Sequence, residues 1–212
     1  MGGLPGPEEV RAALAGRMGS HHVALLSEAR VGVAGLGGLG SQIALALART
    51  GVGNLHLVDH DVVDLANLNR QAYDLADLGL PKTTALAERI ARVNPYLKVT
   101  TQDIRVTADD AVQVFTGCTI VCEAFDDPAA KAMLTESLLV EDPHMVVVGA
   151  SGMAGHDRTD TVVTRQVGRR WWVCGDGVSD IGTGAPMVAP RVMACAGAQA
   201  MVVVRIILGL EG

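Results

Sequence analysis

The stretch GVAGLGGLGSQ, residues 32 to 42, constrains this chain more than any other. It follows the extended apolar run Arg30 to Ala34 and opens GLGSQIALALARTG, whose apolar residues recur at helical spacing until Gly51 and Gly53 stop it. Strand, glycine turn and helix in that order begin a parallel sheet. Within the stretch, Gly35-x-Gly37-x-x-Gly40 is followed by Asp59, 19 residues past Gly40, at the end of the next apolar run, NLHLVDHD. Residues without a Cβ let the backbone turn tightly and approach phosphate, and the N–H groups of the helix favour negative charge. A carboxylate placed like Asp59 accepts hydrogen bonds from two ribose hydroxyls. Glycines also serve a bare strand-to-helix turn, but Asp59 at this spacing favours a nucleotide. The pattern recognises sugar and phosphate without choosing the nucleotide.

The rest of the chain continues the alternation. LPKTTALAERIARVNP reads as a helix with Pro81 in its first turn and a buried stripe of Leu86, Ile90 and Val93. LKVTTQDI and CTIVCEAF read as strands, with a short helix around Asp109 to Phe115 between them. DPAAKAMLTESLL is a further helix and HMVVVGAS a fifth strand. DTVVTRQVGRRWWVCG then alternates, turns at Gly168 and has no helix between its halves, which predicts an antiparallel hairpin. The loop GDGVSDIGTGAPMVAP leads to a last helix starting near Pro190. The fold class expected is α/β, a Rossmann-like, mostly parallel sheet flanked by helices. With 49% hydrophobic residues but only 3% aromatic, its core must be built from Ala, Val, Leu and Ile. Residues 1–29 are expected to be an N-terminal helical arm, beginning with a loose leader, MGGLPGPEEV, and 30–212 the nucleotide-binding domain.

Charge and cysteines exclude several classes. The net charge of -6, with no Lys/Arg cluster, lacks the footprint of a nucleic-acid binder. Val192 to Leu208 is apolar but interrupted by Gln199 and Arg205, which argues for a packed helix over a membrane span. The leader lacks the features of a signal peptide, and a cytoplasmic location is expected. Cys118, Cys122, Cys174 and Cys195 form no Cys-x-x-Cys pair, so no structural zinc is expected. Cys118 and Cys122, four apart, are expected on one face of a strand.

The residues beyond the second strand narrow the nucleotide. DHDVVDLANLNRQAY places Asp61, Asn67, Asn69, Arg70 and Gln71 there, and Lys82 opens the next helix. A triphosphate carries more charge than a dinucleotide pyrophosphate and needs cations near its outer groups, which Arg70 and Lys82 supply. Asp126 and Asp127 end strand four at the sheet's carboxyl edge, and paired carboxylates there suit Mg2+ bound jointly with phosphate oxygens. Each has a bland alternative: a solvated charge for Arg70 or Lys82, a helix cap for Asp127.

GLGGLGS, GVGNLHLVDHDVVDLANLNRQ, LPK and AFDD together resemble the ThiF/MoeB/HesA family, relatives of ubiquitin-activating enzymes, over most of the chain from Val31. CGDG and APMVAPRV extend the likeness to the short ThiF-type proteins of thiamine biosynthesis. The resemblance implies ATP- and Mg2+-dependent adenylylation of the C-terminal glycine of a ubiquitin-like sulfur carrier ending in Gly-Gly. It places Gly35, Gly37, Gly38, Leu39 and Gly40 at phosphate, Asp59 and Asp61 toward ribose and its surroundings, and Asn67, Asn69, Arg70 and Gln71 around the nucleotide. Lys82 would meet phosphate, Asp126 the metal, and Asp127 the cofactor beside it; Arg70, Lys82 and Asp126 form the catalytic set. Asn69 and Gln71 have a backbone-bracing role as an equal alternative. A homodimer is implied, with an N-terminal arginine donated across it, for which Arg17 and then Arg11 are the candidates. Cys174 lies at a strand end, with nothing nearby to lower its pKa, and is left out of the catalytic set. Two competing readings remain open: an NAD-dependent oxidoreductase using the same glycine loop, and a non-catalytic carrier-binding subunit. Within the family, molybdopterin carrier activation and tRNA modification are sister activities, the acidic charge weighing against tRNA.

Overall fold

The computed structural model describes residues 3–180, 182 and 184–211. Its elements are helices α1 (Pro7–Met18) and α2 (Ser20–Glu28), then β1 (Arg30–Ala34), α3 (Gly38–Thr50), β2 (Asn54–Asp59), α4 (Lys82–Val93), β3 (Lys98–Asp103) and α5 (Ala111–Val114). There follow β4 (Ile120–Glu123), α6 (Pro128–Glu141), β5 (Val146–Ala150), β6 (Val163–Gly168), β7 (Trp171–Gly175) and α7 (Ala189–Ile207). The strands form one sheet in the order β3-β2-β1-β4-β5-β7-β6. All neighbours pair in parallel except β6 with β7, the expected hairpin, in which β6 is the exposed edge strand.

From β1 the chain winds outward through β2 to β3, then crosses back to β4 on the other side of β1. The two windings part between β1 and β4, and an open parallel sheet of this kind binds ligands at the carboxyl ends of the strands at that switch point. Strand residues alternate between two cores. Val33, Leu55, Leu57 and Cys122 meet Ile43 and Leu47 of α3, Leu86 of α4 and Val192 and Val203 of α7. Val58, Val121 and Val147 meet Phe115, Leu134 and Leu138 on the opposite face. Each such fully buried branched or aromatic side chain contributes about 1.5 to 3 kcal/mol. Gly32 of β1 sits against the second core, where an added Cβ would lie 2.6 Å from the Phe115 ring.

Three local readings change. Cys118 lies in the turn before β4, its N–H donating to Phe115 O at 3.0 Å, so it belongs to the second core while Cys122 faces the first. The period-two argument applied to residues that are not both in the strand. Pro81 is the N-cap residue of α4, one position before its first turn, and Val93 is only half-buried. The leader ends earlier than expected: Pro7 starts α1, and the Glu9 carboxylate accepts the Gly6 N–H at 2.7 Å.

α7 is long and apolar enough to cross a membrane by length and composition. In the fold it packs along α3 and the sheet, and its buried Gln199 is bonded inside: Nε2 donates to Glu123 O at 3.2 Å and Val148 O at 3.1 Å. The arm docks at the sheet's amino end. Gly53 N donates to Leu26 O at 2.9 Å, Asn54 N to Ala29 O at 3.1 Å, and Tyr96 Oη to Pro5 O at 2.7 Å.

Candidate functional site

The site is built around the turn after β1. Gly35 has φ +85, and a Cβ there would press on the Ala124 carbonyl at 2.9 Å, so β1 and β4 approach one another at the switch point only because the residue is glycine. Gly40 is equally constrained: its Cβ would collide with Gly35 O, fixing the first turn of α3 against the loop. Gly37, the N-cap residue of α3, offers no side chain to the helix end, leaving the first N–H groups of a 13-residue helix for an anion. Val192 of α7 and the Arg70 stem lie over Gly38, 3.1 and 3.5 Å from where its Cβ would stand. Leu39, mostly buried, anchors the helix start in the core.

Asp59, 6% exposed, is more heavily engaged than the spacing suggested. Its Oδ2 accepts Leu36 N–H at 2.6 Å, and its Oδ1 accepts His60 N–H at 2.7 Å and Asp61 N–H at 2.8 Å. The carboxylate therefore ties the glycine turn to the end of β2, with little acceptor capacity left for ribose. Asp61 faces Lys82: Nζ lies 2.7 Å from Asp61 Oδ2 and 3.9 Å from Asp59 Oδ2. Burial would raise the Asp61 pKa, but the Lys82 hydrogen bond and charge, with His60 and Arg105 beyond, hold it below the ordinary value. The Asp59, His60 and Asp61 ligand atoms lie within 4.8 Å of one another, yet the Lys82 ammonium already answers this carboxylate group.

Arg70 is held differently. Its Nη2 donates to Asn67 Oδ1 at 2.8 Å and its Nη1 to Asn69 Oδ1 at 3.0 Å. Both acceptors are neutral amides, so the guanidinium is oriented while no carboxylate pairs with it among the described residues. Asn69 Nδ2 in turn donates to Met187 O at 3.0 Å, joining this loop to the segment before α7. Gln71 is buried against Gly37, its Oε1 without a partner among the described residues. Ser41 completes the bracing: Oγ donates to Gly37 O at 2.6 Å and accepts Ala72 N–H at 3.0 Å. Tyr73 Oη, raised in pKa by burial and by Asp59, donates to Leu36 O at 2.8 Å.

Asp126 and Asp127 are not an equivalent pair. Asp127 Oδ2 accepts Ala130 N–H at 2.7 Å as the N-cap of α6. Asp126 is exposed, and its carboxylate has no partner among the described residues. A single free carboxylate at the carboxyl end of β4, beside the glycine turn, fits a Mg2+ shared with phosphate oxygens. Cys174 is fully buried with Thr164 Oγ1 3.5 Å from its Sγ; burial pushes its thiol up, against nucleophilic use. Arg11 and Arg17 are exposed on α1, at the opposite end of the sheet from the glycine turn. The loop between β7 and α7 contains Ile181 and Thr183, which lie outside the described residues.

Several residues at the site escaped the sequence reading. Glu123, 2% exposed, pairs through Oε2 with Lys131 Nζ at 2.7 Å. Arg191, 1% exposed, donates to Asp157 O at 2.8 Å and Arg158 O at 2.7 Å and pairs with Asp176, tying together the loops after β5 and β7. Burial would raise Asp176, but the Ser179 and Val178 N–H groups and Arg191 bring it down to about 2. The signal was available: a charged residue inside an apolar run, VCEAF or APRVMACA, is buried only when paired.

Comparison with known proteins gives the family and the fold. The chain is 39% identical to the Escherichia coli tRNA threonylcarbamoyladenosine dehydratase over 136 residues, 63% of this chain and 51% of that protein. It is 31% identical over 128 residues to the adenylyltransferase and sulfurtransferase UBA4 of Yarrowia lipolytica, 60% of this chain and 32% of that one. The matched stretch thus spans about half of the first relative's length and about a third of the second's. The E. coli dehydratase solved in complex with ATP superposes with a TM-score of 0.85 at 24% identity, covering 95% of each chain. E. coli MccB with ATP gives 0.75 at 18% identity, covering 97% of this chain and 67% of that one. At these identities the structural likeness is one of fold. The ThiF family pattern matches residues 11–212, nearly the whole chain, and the protein belongs to the ThiF family.

Proposed function

We propose that the protein catalyses ATP-dependent adenylylation of a carboxylate, joining it to the α-phosphate of ATP and releasing pyrophosphate. The observation that carries this reading is Arg70, propped on two neutral asparagine oxygens over Gly38 with no carboxylate partner among the described residues. An NAD site would leave Arg70, Lys82 and Asp126 without a combined purpose, and membership of the ThiF family leaves the oxidoreductase reading without support. The relatives named adenylyltransferases, and neighbours solved with ATP and AMP, support the nucleotide assignment.

A carboxylate is ionised at neutral pH, so attack on the α-phosphorus needs no general base. The protein must offset repulsion between two anions and hold them in line. The α3 N-terminus and Arg70 meet the phosphates. Lys82 has three donors, of which Asp61 takes one, leaving others for the outer phosphates. Asp126 would hold Mg2+, which when bound neutralises charge on the departing pyrophosphate.

The acceptor we favour is the C-terminal glycine of a ubiquitin-like sulfur carrier ending in Gly-Gly, in thiazole formation for thiamine, or its counterpart in molybdopterin synthesis. The exposed β6 edge beside the carboxyl ends of the strands suits an extended tail. A homodimer fits the arm's position, because α1 can serve a nucleotide site only on another copy. Four buried free thiols suit the cytoplasm. One observation favours a second acceptor: the 39% identity to an enzyme acting on a tRNA nucleoside, against which stands the net charge of -6.

Pyrophosphate exchange into ATP tests these readings. The expected result is exchange that depends on a Gly-Gly carrier and disappears in Asp126→Ala. Exchange supported by tRNA alone would move the acceptor. Carrier binding without exchange at any Mg2+ concentration would leave a non-catalytic subunit, and NAD binding without ATP binding would overturn the proposal.

A further inference from the structure

Buried Glu123 and half-buried Lys131 form an ion pair that the adenylylation reading leaves unused, and both of them hold the backbone of one residue, Phe125. Strand pairing between β4 and β5 ends at Cys122 with Val148, and the chain leaves the sheet through residues 124–127. There the Phe125 backbone has no ladder to join. Its N–H donates to Glu123 Oε1 at 2.8 Å, and its carbonyl accepts from Lys131 Nζ at 3.1 Å. Lys131 closes the ring by pairing with Glu123 Oε2 at 2.7 Å. Gln199 fixes the Glu123 carbonyl from the opposite face, and Gly149 makes room for the carboxylate, a Cβ there standing 3.3 Å from Oε2.

The next residue is Asp126, and the one after it is anchored as the α6 cap. Asp126 is thus suspended between two fixed points, its carboxylate the one acidic group of this segment without a protein partner among the described residues. A buried ion pair is a poor device for stability alone, since well-packed apolar residues of like volume serve as well or better. Its value here is geometric.

We propose that Glu123 and Lys131 are positioning residues for the metal-binding carboxylate Asp126, clamping the two peptide groups that flank the Phe125 Cα so that Asp126 faces the cation that accompanies the nucleotide. This rests on the ATP and Mg2+ reading above. Partners beyond the ligand itself commonly govern metal affinity about tenfold or more.

The test is Mn2+ binding, followed by electron paramagnetic resonance, to the full chain saturated with ATP, together with ATP binding in excess EDTA and thermal unfolding. The variants are Glu123→Gln/Lys131→Met, which removes both charges at similar volume, and Glu123→Gln, which keeps the acceptor for Phe125. The double variant is expected to bind ATP in EDTA as the wild type does, while the Mn2+ concentration for half-saturation rises about tenfold or more. Asp126→Ala should show the same selective loss. If the double variant does not fold, Glu123→Gln decides, with a smaller selective rise expected. A folded variant that binds Mn2+ with wild-type affinity overturns the positioning role alone. A wild-type chain that binds neither ATP nor Mn2+ overturns the site reading and this proposal with it.

Discussion

Asp59 Oδ2 accepts the Leu36 N–H at 2.6 Å, across 23 residues of sequence, and this bond joins the glycine turn to the end of the neighbouring strand. With the His60 and Asp61 N–H groups on its other oxygen, the carboxylate satisfies three buried or half-buried backbone donors. Asp59→Ala strands all of them, and hydrogen bonds to charged groups contribute about 1.5 to 3 kcal/mol each. Urea unfolding should show a loss of about 3 kcal/mol or more, accompanied by loss of ATP binding. A variant as stable as the wild type would leave Asp59 to the nucleotide alone.

The two neighbouring aspartates should separate stability from activity. Asp127→Ala removes the α6 cap and should cost about 1 kcal/mol while leaving carrier-dependent exchange largely intact. Asp126→Asn touches no protein partner and should change stability by less than about 0.5 kcal/mol. Its exchange rate should fall about 100-fold, in line with loss of one preorganised electrostatic group. Similar activity losses in both would mean that the pair acts jointly.

How far this was legible in the sequence depends on the range of the interaction. The β1 boundaries, the α3 stop at Gly51 and the hairpin at Gly168 follow from local period and from glycine chemistry, and they match. The glycine loop with Asp59 pointed to the candidate site for the same reason. What Asp59, Asp127 and Asn69 bond to was not legible, because their partners are backbone groups presented by the fold: Leu36, Ala130 and Met187. Glu123 with Lys131 and Arg191 with Asp176 stand 8 and 15 residues apart and become pairs only once a helix packs on the sheet.

The glycines make a further prediction, because two of them differ in what surrounds them. A Cβ at Gly40 collides with the Gly35 carbonyl, which cannot retreat without opening the turn. Gly40→Ala should destabilise by about 3 kcal/mol, within the range of strained core changes, and abolish ATP binding. Gly197, exposed in α7, has nothing within 4 Å of its would-be Cβ. Gly197→Ala should stabilise by about 0.5 to 1 kcal/mol, the helix-propensity gain, with exchange unchanged. Thermal melts of the two in parallel check both signs.

Acid should destabilise the protein in two separable pH windows. His56 of β2 is 4% exposed and faces the second core, bonded through Nδ1 to Thr100 Oγ1 at 2.8 Å and edge-on to Phe115, with its Nε2 without a hydrogen-bond partner among the described residues. Burial, and then the Arg30 charge, lower its pKa below 6.5, so the folded state resists protonation that the unfolded chain accepts. Where the unfolded state binds more protons, stability rises with pH. His56 therefore contributes fully above about pH 6.5, and that contribution is lost as pH falls from there through its lowered folded value. Asp176, brought down from 3.8 to about 2 by backbone N–H groups and Arg191, contributes above its unfolded pKa and loses that contribution between about 3.8 and about 2. Urea midpoints measured from pH 8 to pH 2 should fall in both windows. His56→Leu should flatten the upper window and leave the lower one, and Arg191→Met should weaken the lower one. A His56→Leu profile parallel to the wild type between pH 6.5 and pH 5 would assign that slope to other groups.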